Sequence, residues 1–392
     1  MAPPLLVREY HKRRVPMLNA RGENPSHDVD QDTPGAPPTG MSAGSRTPPI
    51  TMAKPQNPTD LIWCCPKCHG SLAGFGGGLR CRSCGTSYPC FEGIPDLRVA
   101  GASWVDHEQD QAQARQFITE TVGFSAEEMV RYIFEWRKEM DAAWRAKRTR
   151  QVIQASRWLA TEIQGWLRRC LPPDTTFLEV GCGPGQLLAA AAAAGRQGIG
   201  IDVRLVWLLV AKRLIANAGG TPMLAAAMAE SLPLANESIR GVVSLDVIEH
   251  VADVPTYLRE IDRVMAPSSY VALATPNRFS FTAEPHVGVW GVGWVPRRWQ
   301  KRYVKYRSGL PYEFVRLLSV SEVRSLFRRY THIEVAIVAP EIPEIEIAHF
   351  PTHRKMLARL YNGLVRWKVF NPLFRLIGPF FRIVGRKQLP SS

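Results

Sequence analysis

Three groups of residues in this 392-residue chain have the types and spacing that chemistry needs. The first lies in FLEVGCGPGQLL, residues 177–188, where the acid Glu179 is followed by Gly181, Gly183 and Gly185. Glycines let a backbone bend tightly and approach a ligand with no Cβ in the way. A helix starting just after them turns its unpaired N–H groups toward that ligand. A second apolar run, GIGID at 198–202, ends in Asp202, where a ribose-gripping carboxylate belongs in a nucleotide-type site. The second group is Asp246-Val-Ile-Glu249-His250. Two carboxylates and an imidazole so close together suit a divalent cation, or proton removal by His250. The third group is a set of cysteines: six of the eight lie between 64 and 90. Cys65 and Cys68 form one C-x-x-C pair and Cys81 and Cys84 another, separated by twelve residues. Four thiolates in two such knuckles match tetrahedral zinc in a closed, non-catalytic shell.

The elements that must position these groups follow from periodicity. Residues 177–180 read as a buried strand, then a turn, then an Ala-rich helix over 186–194. Further strands are expected at 222–227, 241–246, 270–275 and 332–339, and helices at 203–217, 253–265 and 320–330. Ser319 three residues before Glu322 predicts a capping box for the last of these. Residues 104–169 are rich in helix formers, with Ile133, Trp136, Met140 and Trp144 on one stripe that suits packing.

With E-V-G-C-G-P-G and Asp202 in place, the chain resembles the class I S-adenosylmethionine-dependent methyltransferases, whose first motif is E/D-x-G-x-G-x-G. A nicotinamide dinucleotide site would spell G-x-G-x-x-G instead. The resemblance implies S-adenosylmethionine as cofactor, Glu179 near its methionine portion, the glycines 181, 183 and 185 around it, and Asp202 on the ribose. It continues through AAMAESLPLANESIRGVVSLDVIEHV, 226–251, where Ala229, Glu230 and Asp246 fall at donor-contacting positions. Met228 and Arg240 replace acids that the family usually carries. Adenine recognition then passes to the backbone near Ala229, and a non-catalytic scaffold with a decayed donor site stays open as a reading. Asp246 to His250 also resembles the ubiquinone-type O-methyltransferases, in which such a cluster can hold a divalent metal near the acceptor. That implies a metal near Asp246, Glu249 and His250; helix capping is the plainer alternative. His250 and His286, with Glu249 beside them, are the best candidates to take a proton from an acceptor hydroxyl. Finally, CCPKCHGSL…CRSCGTSYPCFEGIPDL, 64–97, resembles the zinc ribbon of the tRNA-methyltransferase-activator type, whose Y-P-x-x-x-G-I-P is matched by Tyr88, Pro89, Gly93, Ile94 and Pro95.

The net charge of +14 is concentrated at one end. Residues 297–392 hold 19 Lys or Arg against six Glu and no Asp, and no acid follows Glu346. Such asymmetry calls for an anionic partner. In 354–387, Lys368, Arg375 and Arg382 recur every seven residues while Leu373, Leu376, Ile377, Phe380, Ile383 and Val384 recur at three and four. That pattern predicts a basic amphipathic tail, broken by Pro372 and Pro379, that lies on an anionic membrane surface. Docking on the protein's own sheet or on a second subunit is the alternative, and nucleic acid a third. The insertion 284–299, with His286, Trp290, Trp294 and Trp299 among glycines, suits a wall for a large apolar acceptor or a surface loop pinned by its own tryptophans.

The expected fold is therefore α/β, a Rossmann-like class I methyltransferase sheet with helices on both faces, preceded by a small zinc ribbon and followed by the basic amphipathic helical tail. Expected boundaries are 1–60 disordered, 61–99 ribbon, 104–169 helical lead-in, 170–340 methyltransferase domain and 341–392 tail. Neither a secretory signal nor an apolar run of some 18 residues is read, which predicts a cytoplasmic protein, peripheral on the inner face of the membrane. The function expected is O-methylation of a hydrophobic or lipidic small molecule. An RNA methyltransferase that grips RNA with ribbon and tail is the main rival.

Overall fold

The computed structural model describes residues 63–99, 105–136, 142–171, 173, 175–348, 350–367 and 369–389. The disorder expected over 1–60 lies outside them, as does Met140. The ribbon comes first. Strands β1 (Leu72–Phe75), β2 (Gly78–Cys81) and β3 (Ser87–Tyr88) form an antiparallel sheet, and β4 (Cys90–Phe91) pairs with β5 (Ile94–Pro95). Phe75 faces Gly78 across a two-residue turn, Gly76-Gly77, both at positive φ. A turn of that handedness matches the twist of the strands it joins, and glycine is the residue that reaches it without strain.

Three helices follow: α1 (His107–Glu120), α2 (Ala126–Glu135) and α3 (Ala142–Gln164). Ser125 and Glu128 cap α2 reciprocally. Ile133 is buried and Trp136 packs against the same core, as the stripe predicted for packing requires.

The central sheet holds β6 (Phe177–Val180), β7 (Gly198–Asp202), β8 (Met223–Ala226), β9 (Ile239–Leu245), β10 (Met265–Pro276), β11 (Ile333–Val338) and β12 (Phe380–Lys387). Their spatial order is β11-β12-β10-β9-β6-β7-β8. β6, β7, β8, β9 and β10 are mutually parallel, and β12 runs antiparallel to both β10 and β11. Every residue of β6 and β8 is buried, as expected of parallel strands covered on both faces. One apolar layer joins α1, α2 and α3 with α4 (Gln186–Ala193) and α5 (Leu205–Asn217). The opposite layer joins α6 (Val254–Val264) and α8 (Val320–Phe327) with the ribbon itself, through Trp63, Cys65, Cys81, Tyr88 and Leu97. The ribbon therefore has no separate core. Backbone bridges Asp96 to Ala226 and Trp63 to Leu234 fasten it to the β8 edge.

The segment after β11 corrects the tail reading. It is helical only in α9 (Glu344–Ile347), α10 (Thr352–Val365) and α11 (Asn371–Ile377), and then enters the sheet as β12. Phe381, Ile383 and Gly385 are buried at every second position, a period of two that the threes and fours of the surrounding apolar residues concealed. Burying a Phe or Ile side chain fully stabilises by about 1.5–3 kcal/mol, and a strand bonded on both sides satisfies its own backbone polar groups. A single basic side chain near an anionic leaflet offers only ~1 kcal/mol. Pairing therefore wins for 380–387, and the basic residues there are used internally. Arg382 meets Glu162 at 2.5 Å and lies over the Trp166 ring, while Lys387 Nζ donates to the carbonyls of Asp262 and Met265.

Candidate active site

The site sits at the carboxyl ends of β6, β7 and β9, where the strand order reverses and ligands bind in open α/β sheets. β6 delivers Glu179, which is buried and whose Oε2 has no hydrogen-bond partner. Burial, then the neighbouring Asp202 charge, raises its pKa well above the ordinary carboxylate value. Gly181, Gly183 and Gly185 all take positive φ, at 71°, 50° and 74°. A Cβ on Gly181 would meet Val247 at 2.3 Å and one on Gly185 would meet Ala211 at 2.6 Å, while one on Gly183 would stand in open space. The middle glycine thus leaves room for a ligand, and the outer two let the turn pack.

β7 delivers Asp202, also buried. Its Oδ2 accepts the Gly183 N–H and its Oδ1 the Arg204 N–H, each at 2.9 Å. Burial pushes its pKa up to about 6 despite those two donors. A cleft joins Gly181, Asp202, Met228, Ala229, Glu230, Asp246 and His250. Glu230 has one oxygen committed to the Ala252 N–H at 2.8 Å, so it braces the turn into α6. The orphaned Glu179 oxygen, the open face of Gly183 and the spare lone pairs of Asp202 fit the charged and hydroxyl groups of S-adenosylmethionine.

Deeper in, Glu249, His250 and His286 bring one ligand atom each within 4.8 Å of one another, all buried. Asp246 lines the cleft but is not part of this group, which departs from the expected set of Asp246, Glu249 and His250. The third residue of the group, His286, comes instead from the insertion after β10. Thr275 donates its hydroxyl to Glu249 Oε2 at 2.9 Å, leaving Oε1 without a partner. His250 Nδ1 lies 3.1 Å from the Phe314 carbonyl, which can only accept, so Nδ1 carries the hydrogen. His286 Nδ1 donates to the Glu284 carboxylate. The two remaining Nε2 atoms face each other at 3.2 Å.

Two bare lone pairs cannot share that contact, so either a proton or a cation must lie there. Burial pulls the His286 imidazolium down, but Glu284 more than reverses this and leaves its pKa above the ordinary value. Burial, aided by His286, drives His250 down to about 3. Burial and then Asp246 raise Glu249 to about 8. Sequence reasoning missed Glu284 and Thr275. Glu284 stands two residues before His286, and that pairing was the available signal. Nothing local marks Thr275.

The insertion is held as a surface loop by its own tryptophans. Trp290 and Trp294 pin the loop by donating Nε1–H to the carbonyls of Phe281 and Ser280, while their rings stay 62% and 53% exposed. It continues into α7 (Arg297–Ser308), a helix with six cations, no acid and an outward face of Trp299, Tyr303 and Tyr306. In the ribbon, the Sγ atoms of Cys65, Cys68, Cys81 and Cys84 converge within 4.8 Å. Tyr88 Oη lies 3.1 Å from Cys65 Sγ, and the backbone N–H groups of Ser83 and Cys84 donate to Cys81 Sγ at 3.4 Å.

The family described as "Methyltransferase domain" matches residues 178–273. Ubiquinone biosynthesis O-methyltransferase of Azorhizobium caulinodans is 33% identical over 130 residues, 32% of this chain and 51% of that protein. The enzyme of the same name from Brucella anthropi is 35% identical over 102 residues, 26% of this chain and 41% of the relative. The chain thus spans about half the length of the curated relatives it matches. Among solved structures, a phosphoethanolamine N-methyltransferase 2 of Haemonchus contortus is similar at 18% identity and a TM-score of 0.38, covering 60% of this chain and 57% of that one. A SAM-dependent methyltransferase of Archaeoglobus fulgidus has 17% identity and a TM-score of 0.38, with 59% and 94% covered. The chain carries a class I S-adenosylmethionine-dependent methyltransferase domain.

Proposed function

We propose that this chain transfers the methyl group of S-adenosylmethionine to a hydroxyl of a hydrophobic or lipidic small molecule at a membrane surface. The observation that carries this reading is that His250 lines the donor cleft and at the same time belongs to the Glu249–His250–His286 group. Glu179, Gly183 and Asp202 would hold the donor, whose sulfonium supplies an electrophilic methyl. Alignment of the nucleophile does most of the rest. The acceptor hydroxyl must lose a proton, and the buried trio is the machinery for that. Two imidazoles whose Nδ1 hydrogens are both spent on oxygens, plus an unpartnered carboxylate oxygen, suit a divalent transition metal. Such an ion would lower the pKa of a hydroxyl bound to it. Its ligands would be Glu249, His250 and His286, oriented by Thr275, Phe314 and Glu284.

The ribbon is proposed to hold a structural zinc on Cys65, Cys68, Cys81 and Cys84, since four converging sulfurs braced by Tyr88 and backbone N–H groups make a closed shell. For the membrane, the support is exposed apolar surface beside cations. Met356, Leu357 and Leu360 of α10, and Leu373 and Leu376 of α11, are 48–69% exposed. Arg354, Lys355 and Arg375 lie beside them in sequence. Among the described residues no helix is long and apolar enough to cross a membrane, so the contact would be peripheral, at the inner face.

Methyl-labelled S-adenosylmethionine, supplied with purified protein and a whole-cell extract, tests the reading. Label is expected in the organic-soluble fraction. Label in RNA would replace this acceptor with the rival one. No label anywhere, with no calorimetric binding of S-adenosylhomocysteine, would leave a scaffold.

A further inference from the structure

One buried polar network lies outside the groups assigned so far. Asp110, on α1, is wholly buried. Its Oδ1 accepts from Arg204 Nε at 2.6 Å, and its Oδ2 from Arg98 Nη1 at 2.8 Å and from the Leu205 N–H at 3.0 Å. Arg98, in the chain leaving the ribbon, also clasps Asp96 through two bonds of 2.7 and 2.6 Å and donates to the Val203 carbonyl at 2.8 Å. Residues 203, 204 and 205 are therefore each gripped from outside their own segment. All three follow Asp202 directly.

That grip meets a local need. Helix α5 starts with no acid in its first turn, and Arg204 before it makes no side-chain capping bond. The first N–H groups of a helix require acceptors, and the positive end of its dipole favours an anion. Asp110 supplies both from a different helix. The charges also balance, since two carboxylates face two guanidiniums. Buried ions are strongly destabilising once a partner is removed, so the four side chains act together. The Arg204 N–H then fixes Asp202 Oδ1 at 2.9 Å, while Gly183 fixes Oδ2.

We propose that Asp110 is a positioning residue for the methyl donor: with Arg98 and Arg204 it holds the 203–205 turn so that the Asp202 carboxylate faces the cleft. The inference rests on the reading that Asp202 holds the donor's ribose. Outer partners of metal-holding side chains are commonly worth about 10- to 100-fold in affinity; by analogy Asp110→Asn should weaken S-adenosylhomocysteine binding by about tenfold or more.

Calorimetry on the full chain, with the wild type, Asp110→Asn, Asp202→Asn and the double variant, tests it well below the unfolding temperature. If Asp110 acts through Asp202, adding Asp110→Asn to Asp202→Asn costs less than about twofold more. A purely structural Asp110 would lower the melting temperature and leave the dissociation constant alone, or its loss would add in full to that of Asp202→Asn; either result overturns the proposal. Should Asp110→Asn not fold, Arg204→Lys keeps the charge balance but loses the fork that reaches Asp110 and Gln113. The same weakening, absent in the Asp202→Asn background, is then expected, and unchanged binding refutes the proposal. A wild type that binds no S-adenosylhomocysteine would sink the donor reading itself, and this inference with it.

Discussion

The four cysteines and the Glu249–His250–His286 trio are both sets of ligand atoms drawn within 4.8 Å, yet they are built in opposite ways. The cysteines come from one 20-residue stretch, with two sulfurs buried and two at the surface. Short turns bring them together, and their surroundings braid the ribbon into the edge of the main sheet. The trio is buried throughout and joins a turn after β9 to an insertion 36 residues further on. Each of its members is oriented by another partner: Thr275, Phe314 or Glu284. A cluster made locally can stabilise a fold outright. One assembled across the sheet, with a buried carboxylate oxygen left without a hydrogen-bond partner, does not have that local origin.

The contrast can be broken most forcefully at the ribbon. Structural zinc in small domains binds with apparent free energies of about 10–16 kcal/mol that belong to folding. Metal analysis of the wild type should find roughly one zinc per chain, and Cys68→Ser with Cys84→Ser should abolish it. Because the ribbon shares its core with the sheet, at 2–4 °C per kcal/mol the melting temperature should fall by about 10 °C or more. Full zinc content in that variant would refute the ligand assignment.

At the trio the expected effect is on rate and not on stability or donor affinity. Glu249→Gln and His286→Asn should each lower methyl transfer by about 10²–10⁴-fold, with S-adenosylhomocysteine binding held within about twofold. Equal losses in rate and in donor affinity would return the trio to a packing role.

The smallest effect expected is a pH dependence of donor binding. Asp202 must be ionised to accept two ribose hydroxyls while keeping its own two N–H donors. With its pKa pushed up to about 6 by burial, affinity should be flat above pH 7 and weaken as pH falls through 6. Folding stability runs the other way. A raised folded-state pKa means the native protein holds this proton more tightly than the unfolded chain, whose value is near 3.8. The stabilisation from this group is present below 3.8 and is lost as pH rises through 6. Donor affinity constant from pH 8 to 5 would remove Asp202 from the ribose.

Much of the donor side was legible in the chain. Glu179, the glycines and Asp202 sit in two strand-turn units where local backbone geometry makes the site, and β6 to β11 fall close to where apolar periodicity puts them. The tail was legible only in its composition. Residues 380–387 satisfy a helical spacing on paper, but the open edges of β10 and β11 offer backbone partners on both sides, and those decide for a strand.

By itself, then, the sequence determined the Gly-rich turn with its two acids, the paired cysteines and the concentration of positive charge, because each depends on residues close together in the chain. Only the tertiary structure decided that His286 joins Glu249 and His250, that Asp110 caps a helix it does not belong to, and that the last strand completes the sheet. Those contacts join segments far apart in sequence. They form because buried polar groups and strand edges must find partners somewhere in the folded interior, and no local pattern records which partner that will be.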